Sequence, residues 1–591
     1  MAKNNPPSQT PEAEPQVTVV SSEPEYRRYL IAPRRSMAAR LAGIQPMSAS
    51  GMNGVISTLG IDVVRRIQRD EGVFGALSAQ GEATEIVVAK LEPMRADLLR
   101  MSVPPSMVIT EDARVDYEAA AFGRVPAVHP TGRPMARKIK FQVVDPNGKP
   151  IPGLEVQLTG DGFPSHGVTN DKGEVELDLV TLGDRPPRLL WVKANHTFWD
   201  LYLTTPRVSD TALNRVQMRP FSETIEGFPE KFRYGWGQRL MGLHEAPKEI
   251  NGAGVKIAII DSGCDNTHPL LSHVKHGQDY SDDDPTTNWN QDLIGHGTHC
   301  AGIITARSEE DTMLRGFAPE AEIHILRVFP GGRYSNLVEA LQYCIANQID
   351  VVNMSLGGGP DVNEVVQEML EAAANAGIVL IAAAGNSGDA VKFPASSPHV
   401  MAVGAIGSLN DMPNSIWEWS TVQDGLKTTE GLFSPQFSCY GPKISVCAPG
   451  VAIVSTVPGG FKSDSGTSMA APHVTGLAAL LLAHHPVFHT TFRERSIHRV
   501  EALFDLIRRI CKPLPFGYRS GLGMPYLGAI LRELTGSAAE GTVPLPQSAA
   551  PAMAHLLQHQ PVLQPQPLLQ VASAYGMLSP QSVLPPYYRI R

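Results

Sequence analysis

Three stretches hold residue types that can carry acyl-transfer chemistry. In Gly466-Thr467-Ser468-Met469-Ala470-Ala471-Pro472-His473-Val474 a serine sits among small residues. The apolar run Val474 to Ala483 that follows predicts a buried helix with Ser468 at its N-terminus. That end carries partial positive charge and unsatisfied N–H groups, which suit a developing oxyanion. A serine there is also a common cap, so the stretch does not speak alone. Val255-Lys256-Ile257-Ala258-Ile259-Ile260-Asp261-Ser262-Gly263 predicts a buried strand ending in a carboxylate and a tight turn. Gly295-His296-Gly297-Thr298-His299-Cys300-Ala301-Gly302 sets a histidine among glycines at the start of a small-residue helix. Together they supply an orienting carboxylate, a base and a nucleophile in the order Asp, His, Ser, one of the chain orders in which this triad occurs.

These motifs resemble those of the subtilisin-like serine peptidases, the subtilases. Two further stretches extend the resemblance. Ala383-Ala384-Gly385-Asn386-Ser387-Gly388 matches the segment holding the family's oxyanion-hole asparagine. Met354-Ser355-Leu356-Gly357-Gly358 resembles its substrate-binding strand. The resemblance covers residues 229–535. It implies an α/β fold, a subtilisin-like parallel sheet with helices on both faces. Alternating apolar strand runs and helical stretches (Asn336 to Asn347 and Val362 to Ala376 among them) fit that architecture.

The chain has 591 residues, enough for several domains, and 42% hydrophobic residues, ordinary for a globular protein. Its net charge of −9 is mild and dispersed, which gives no reason to expect nucleic acid or a membrane surface as partner. Neither a signal-peptide pattern nor a membrane-spanning run is seen, so a cytoplasmic location is the expectation. Cys264, Cys300, Cys344, Cys439, Cys447 and Cys511 lack metal-binding spacing and are expected to be free thiols.

Composition divides the chain further. Residues 1–24 are Pro- and Glu-rich and expected to be disordered. Residues 25–118 read as a small α+β unit: strands at Tyr29 to Ala32, Glu85 to Leu91 and Met107 to Val115, and a helix over Glu92 to Met101. A unit of this pattern ahead of a subtilase resembles the family's inhibitory propeptide, which lays its C-terminal segment through the active site. Residues 119–134 read as a linker. Over 135–205, alternating segments separated by Asp145-Pro146-Asn147-Gly148 and Asn170-Asp171-Lys172-Gly173 predict a small β-sandwich, similar to Ig-like or carboxypeptidase-regulatory-like modules. Residues 206–228 are expected to connect, and 536–591 to be a disordered Pro/Gln-rich tail. Cleavage near 119–134 leaves the sandwich on the enzyme; cleavage near 206–228 removes it. Asn410 to Phe433 looks like an insertion relative to compact subtilisins.

The resemblance assigns Ser468 as nucleophile, His296 as general base, Asp261 as its orienter and Asn386 as oxyanion donor. Polypeptide substrates would lie extended along Ser355, Leu356 and Gly357, and the N-terminal domain would act as intramolecular inhibitor. Lys392, in Val391-Lys392-Phe393-Pro394, stands where the family usually has a small residue at the base of the first specificity pocket. It would favour an acidic residue there or turn out to solvent. Catalysis needs no cofactor. Asp279, Asp282, Asp283 and Asp284 form an acidic loop suited to structural Ca²⁺ or simply solvated. Two alternatives stand beside a self-inhibited endopeptidase: a catalytically silent scaffold, and a signalling protease released by a regulatory protein partner.

Overall fold

The computed structural model describes residues 25–68, 85–117, 134–281 and 288–535. The expected disordered ends, nearly all of the 119–134 linker, and Asp282, Asp283 and Asp284 lie outside them.

The central element is a sheet whose neighbouring strands run His276–Asp279, Glu322–Arg327, Lys256–Asp261, Val351–Met354, Val379–Ala383, Val400–Ser408. Each pairs in parallel with the next. Val446–Pro449 adds in parallel to Val400–Ser408, and the short Leu432–Phe433 pairs antiparallel. The apolar runs reflect burial on both faces. Ile257 and Ile259 join one core cluster, whereas Ala258 and Ile260 join the other. On the first side lie helices His296–Thr305 and Thr467–His484; on the other, Tyr334–Ala346 and Glu364–Asn375.

Residues 25–117 form a four-stranded antiparallel sheet, ordered Asp62–Gln68, Glu85–Leu91, Arg27–Pro33, Met107–Glu111. Helices Met37–Leu41, Ala49–Thr58 and Pro93–Ser102 accompany it. The first two helices and the strand Asp62–Gln68 were not legible as elements. Ala49–Thr58 contains two glycines and two serines, poor helix formers held here by packing. This sheet also has two buried faces. Tyr29, Ile31, Val87 and Ala89 pack with Met52, Ile56, Ala96 and Leu99 of its own helices. Leu30, Ala32, Ile86, Val88 and Val108 join the core cluster of the Tyr334–Ala346 and Glu364–Asn375 helices. Carboxylates complete this junction. Glu368 Oε1 accepts from the Arg35 and Ser36 backbone N–H groups at 2.7 and 2.9 Å, and Glu339 meets Arg65 at 2.8 Å.

Residues 134–217 form two facing sheets around Ile139, Phe141, Val156, Leu158, Leu177, Leu190 and Val192. The expected boundary at 205 and the 206–228 connection require correction. Asn214–Gln217 is a strand that pairs in parallel with Pro134–Val144, and Phe221 and Phe228 are buried in the main core. Polar residues around 206–215 concealed a sheet edge. Trp199 ties the sandwich to that core. It is 2% exposed, stacks edge-on to Phe221 at 4.8 Å and donates Nε1–H to Thr224 at 2.7 Å. Two backbone bonds, Tyr202 N–H to Ser415 O (2.7 Å) and Thr197 N–H to Phe461 O (3.1 Å), join the same surfaces.

Trp199→Ala should therefore destabilise the whole assembly by about 3–5 kcal/mol, the usual cost of deleting a buried Trp. Denaturant unfolding should shift as one transition; loss of the sandwich signal alone would contradict this junction.

Candidate active site

Asp261 ends the central strand and is fully buried. Its Oδ1 accepts from the Ser262 backbone N–H at 2.7 Å and bonds His296 Nδ1 at 2.8 Å. His296 is the first residue of its helix, whose N-cap, Gly295, lies in the left-handed region at φ 84°. Close packing sets the neighbouring residue type: a Cβ on Gly297 would lie 2.1 Å from the Gly263 carbonyl oxygen. A residue the motifs did not expose, Asp292, organises this turn. It accepts from Ser262 Oγ–H, the Gly295 N–H, and both the N–H and hydroxyl of Thr298, at 2.6–2.9 Å.

Ser468 is the second residue of helix Thr467–His484 and 2% exposed. Its backbone is fixed to the neighbouring strand through a buried chain. Ser355 Oγ–H donates to Ser468 O at 2.8 Å, Asn353 Nδ2–H donates to Ser355 Oγ at 2.9 Å, and Thr475 Oγ1–H donates to Asn353 Oδ1 at 3.0 Å. Ser468 Oγ lies 3.4 Å from the Ser355 carbonyl oxygen. His296 Nε2 makes no hydrogen bond among the described residues. Catalytic hydrogen bonds are often loose without substrate and tighten once it is bound.

Asn386 is held by its oxygen: Oδ1 accepts from the Thr467 N–H at 2.8 Å and the Thr467 hydroxyl at 2.9 Å. Its amide nitrogen then borders the helix start. A Cβ built on Gly466 would sit 3.0 Å from Asn386 Nδ2 and 3.6 Å from Ser468 N. The missing side chain at Gly466 leaves open the space both donors border.

Burial lowers the pKa of His296, but the charge and hydrogen bond of Asp261, with Asp464 and Asp292 farther off, raise it more; the net shift is upward. His299, on the same helix but bonded to the Ile453 carbonyl at 2.9 Å, is pushed by burial down to about 4 and stays neutral. The Cys300 sulfur lies within 4.8 Å of the ligand atoms of Asp261 and His296. Burial raises its thiol pKa well above the ordinary value, and a protonated thiol is a poor metal ligand.

All six cysteines are free thiols. Asp279 hydrogen-bonds Ser281 and pairs with Arg327 at 3.1 Å. Lys392 lies beside this site. Its N–H donates to Ala384 O at 3.0 Å, its ammonium pairs with Asp389 at 3.0 Å, and the following Phe393-Pro394 bond is cis. The chain's own segment 113–117 reaches the stretch Ser355, Leu356 and Gly357 at its last residue and pairs with Gly332 and Tyr334 further upstream. Asp116 and Gly357 exchange both backbone hydrogen bonds at 2.9 Å, and the Tyr117 ring lies 5.2 Å from that of His296.

A doubly covered parallel sheet with an aspartate ending its central strand, and a histidine and a serine starting the two helices packed on it, defines the class of fold and site. The comparisons agree. Residues 252–502 match the Subtilase family. The chain is 38% identical to Subtilisin of Bacillus pumilus over 265 residues, 43% of this chain and 86% of that protein. It is 32% identical to the Major intracellular serine protease of Bacillus subtilis (strain 168) over 323 residues, 50% of this chain and 92% of that one. It is 39% identical to Subtilisin NAT of Bacillus subtilis subsp. natto over 271 residues, 44% of this chain but only 64% of that relative's length. The chain belongs to the subtilase family.

The insertion supplies a further buried group. Glu418 is 4% exposed and accepts from Ser465 Oγ–H at 2.7 Å, three residues before Ser468. Burial pushes its carboxyl up to about 8. The folded state thus keeps a proton that the unfolded chain loses near pH 4.3 (about the free Glu value), and stability falls as pH rises from there to about 8. Glu418→Gln should remove that slope: its melting temperature should match the parent near about pH 5 and exceed it above about pH 8. Parallel melting curves across that range would contradict the assignment.

Proposed function

We propose that the chain is a serine endopeptidase made as a self-inhibited precursor. The observation that carries this reading is the buried 2.8 Å Asp261–His296 hydrogen bond beside Ser468 and Asn386. Ser468 Oγ attacks the scissile carbonyl while His296 Nε2 takes its proton. Asp261 holds the Nδ1–H tautomer and stabilises the imidazolium. Asn386 Nδ2 and the Ser468 N–H receive the oxyanion. His296 returns the proton to the leaving amine, and water hydrolyses the ester. Substrate lies as an added strand along Ser355, Leu356 and Gly357. Lys392 favours an acidic residue at the cleaved position. Residues 25–117 are the inhibitor, a reading supported by their buried junction with the Glu364–Asn375 helix and by Asp116 and Tyr117 in the cleft. No helix of the described residues is long and apolar enough to cross a membrane.

Ser468→Ala should lower peptide hydrolysis by about 10⁶-fold and Asn386→Ala by about 10²–10³-fold, with little change in KM for the latter. Unchanged turnover in Ser468→Ala would sink the reading. The pH profile offers an independent check. The base must be neutral to accept a proton, so the rate should fall on the acid side with an apparent pKa above about 6.5. Asp464 contributes to raising the His296 pKa, so Asp464→Asn should move that limb to lower pH. A limb that stays put would exclude this electrostatic link.

A further inference from the structure

Resting on the peptidase reading, we infer that Glu418, carried by the insertion Asn410 to Phe433, is a positioning residue for the oxyanion site: it holds Ser465, and through Ser465 the turn that presents the Ser468 N–H beside Asn386. The hydrogen bonds around that turn carry the inference. The hairpin of Ile453–Val457 and Gly460–Asp464 delivers the chain to Ser465, which is 3% exposed. Ser465 Oγ accepts the Ala452 N–H at 2.7 Å and donates its own hydrogen to Glu418 Oε1 at 2.7 Å. One residue on, the Gly466 N–H donates to Gly450 O at 2.7 Å. Thr467 then donates twice to Asn386 Oδ1, and Ser468 follows.

This turn needs such support. Ala452, whose N–H the Ser465 hydroxyl binds, has φ 52°, a left-handed backbone that a side chain disfavours. Trp236 Nε1–H adds a second hold on the same loop, donating to the carbonyls of Val451 and Ala452 at 3.2 and 3.3 Å. Gly466 has no side chain to restrict its backbone, and its bare Cα makes room for the Asn386 amide. An oxyanion donor works by standing in place before the charge develops. A shift of about 1 Å can cost about 10²-fold in rate. The Ser465 hydroxyl ties the Ala452 loop to Glu418 immediately before that donor.

Glu418 is itself anchored. It lies in the short helix Trp417–Thr421, and its carbonyl accepts from Thr421 Oγ1–H at 2.6 Å. Trp417 packs 6.1 Å from Phe437 in the main core. The β-sandwich braces the same segment: the Tyr202 N–H donates to Ser415 O at 2.7 Å, and the Tyr202 phenol meets Ser420. Among the described residues, the acids facing Glu418 are Asp200 of the sandwich and Asp464 of the hairpin, and both disfavour its ionisation. Asp464 in turn faces Lys462, His299 and His296. The second oxygen of Glu418, Oε2, is buried and makes no hydrogen bond among the described residues. A neutral acid suits that setting, since Ser465 needs only an acceptor from it. Ionisation near pH 8 sets a poorly solvated anion beside Asp200 and Asp464 and loosens the turn.

The test compares the full chain as purified with Glu418→Leu, Glu418→Gln, Ser465→Ala, Asn386→Ala and the Glu418→Leu/Asn386→Ala double variant, on one chromogenic peptide, with melting temperatures measured alongside. Glu418→Leu should lower kcat by about 10- to 100-fold with KM little changed. Glu418→Gln keeps an acceptor for the Ser465 hydroxyl and should recover most of that loss. Ser465→Ala breaks the same bond from its other end and supplies the comparison if Glu418→Leu does not fold. In the Asn386→Ala background the Glu418→Leu loss should shrink to less than about threefold, because both act on one site. Raising the pH through about 8 should lower kcat in the parent and not in Glu418→Gln. Parent kcat at a lowered melting temperature in Glu418→Leu or Ser465→Ala, or losses that multiply with that of Asn386→Ala, overturns the inference and leaves the peptidase reading standing. An alkaline fall shared by the parent and Glu418→Gln overturns the role of ionisation. Absence of any Ser468-dependent hydrolysis by the parent overturns the peptidase reading and this inference with it.

Discussion

A carboxylate with no solvent exposure must be hydrogen-bonded or neutral, and most of this active-site architecture follows from how Asp261 meets that requirement. Its partners are a backbone N–H one residue on and the imidazole of His296. Both depend on the chain turning sharply at Ser262 and Gly263 and on the His296 helix approaching within contact of that turn. The 2.1 Å that a Cβ on Gly297 would leave to Gly263 O is the steric expression of this approach. Asp292 clamps the same turn to the same helix through four donors. The charge beside His296 is thus installed by backbone geometry, and buried carboxylates, glycines and the helix start form one unit.

Ser468 is fixed by a separate device. The chain Thr475, Asn353, Ser355, Ser468 O pins the Ser468 helix to the Val351–Met354 strand and the residue that follows it. In the proposed mechanism, substrate register and nucleophile position are therefore set by one network. The N-terminal sheet buries one face on its own helices and the other on the peptidase, and Asp116, just after its last strand, pairs with Gly357.

Motif residues were the most legible part of the sequence because each couples an unusual side chain to an unusual backbone. Asp261 after an apolar strand, His296 between glycines and Ser468 before an apolar helix all stand at the ends of regular elements, as those patterns require. The parallel sheet was legible from its apolar runs. Less legible were elements whose stability is tertiary. Ala49–Thr58 is rich in poor helix formers, and Asn214–Gln217 is polar but completes a sheet edge. Asp292, Ser355 Oγ and Glu418 carry no local signature, because their roles arise from partners 6 to 113 residues away. An acidic residue six positions before a glycine-flanked histidine's Thr298 is a faint signal for the first of these. Nothing in the sequence marks the third.

The most direct measurement of the central claim is covalent labelling with a serine-directed phosphonate, the adduct located by peptide mass mapping, on the parent chain and on His296→Ala. The account predicts a single adduct, on Ser468, lost with His296, and peptide hydrolysis falling in step with labelling. Hydrolysis that persists with Ser468 fully labelled, or an adduct on another residue that abolishes it, would contradict the assignment of Ser468 and His296 as nucleophile and base.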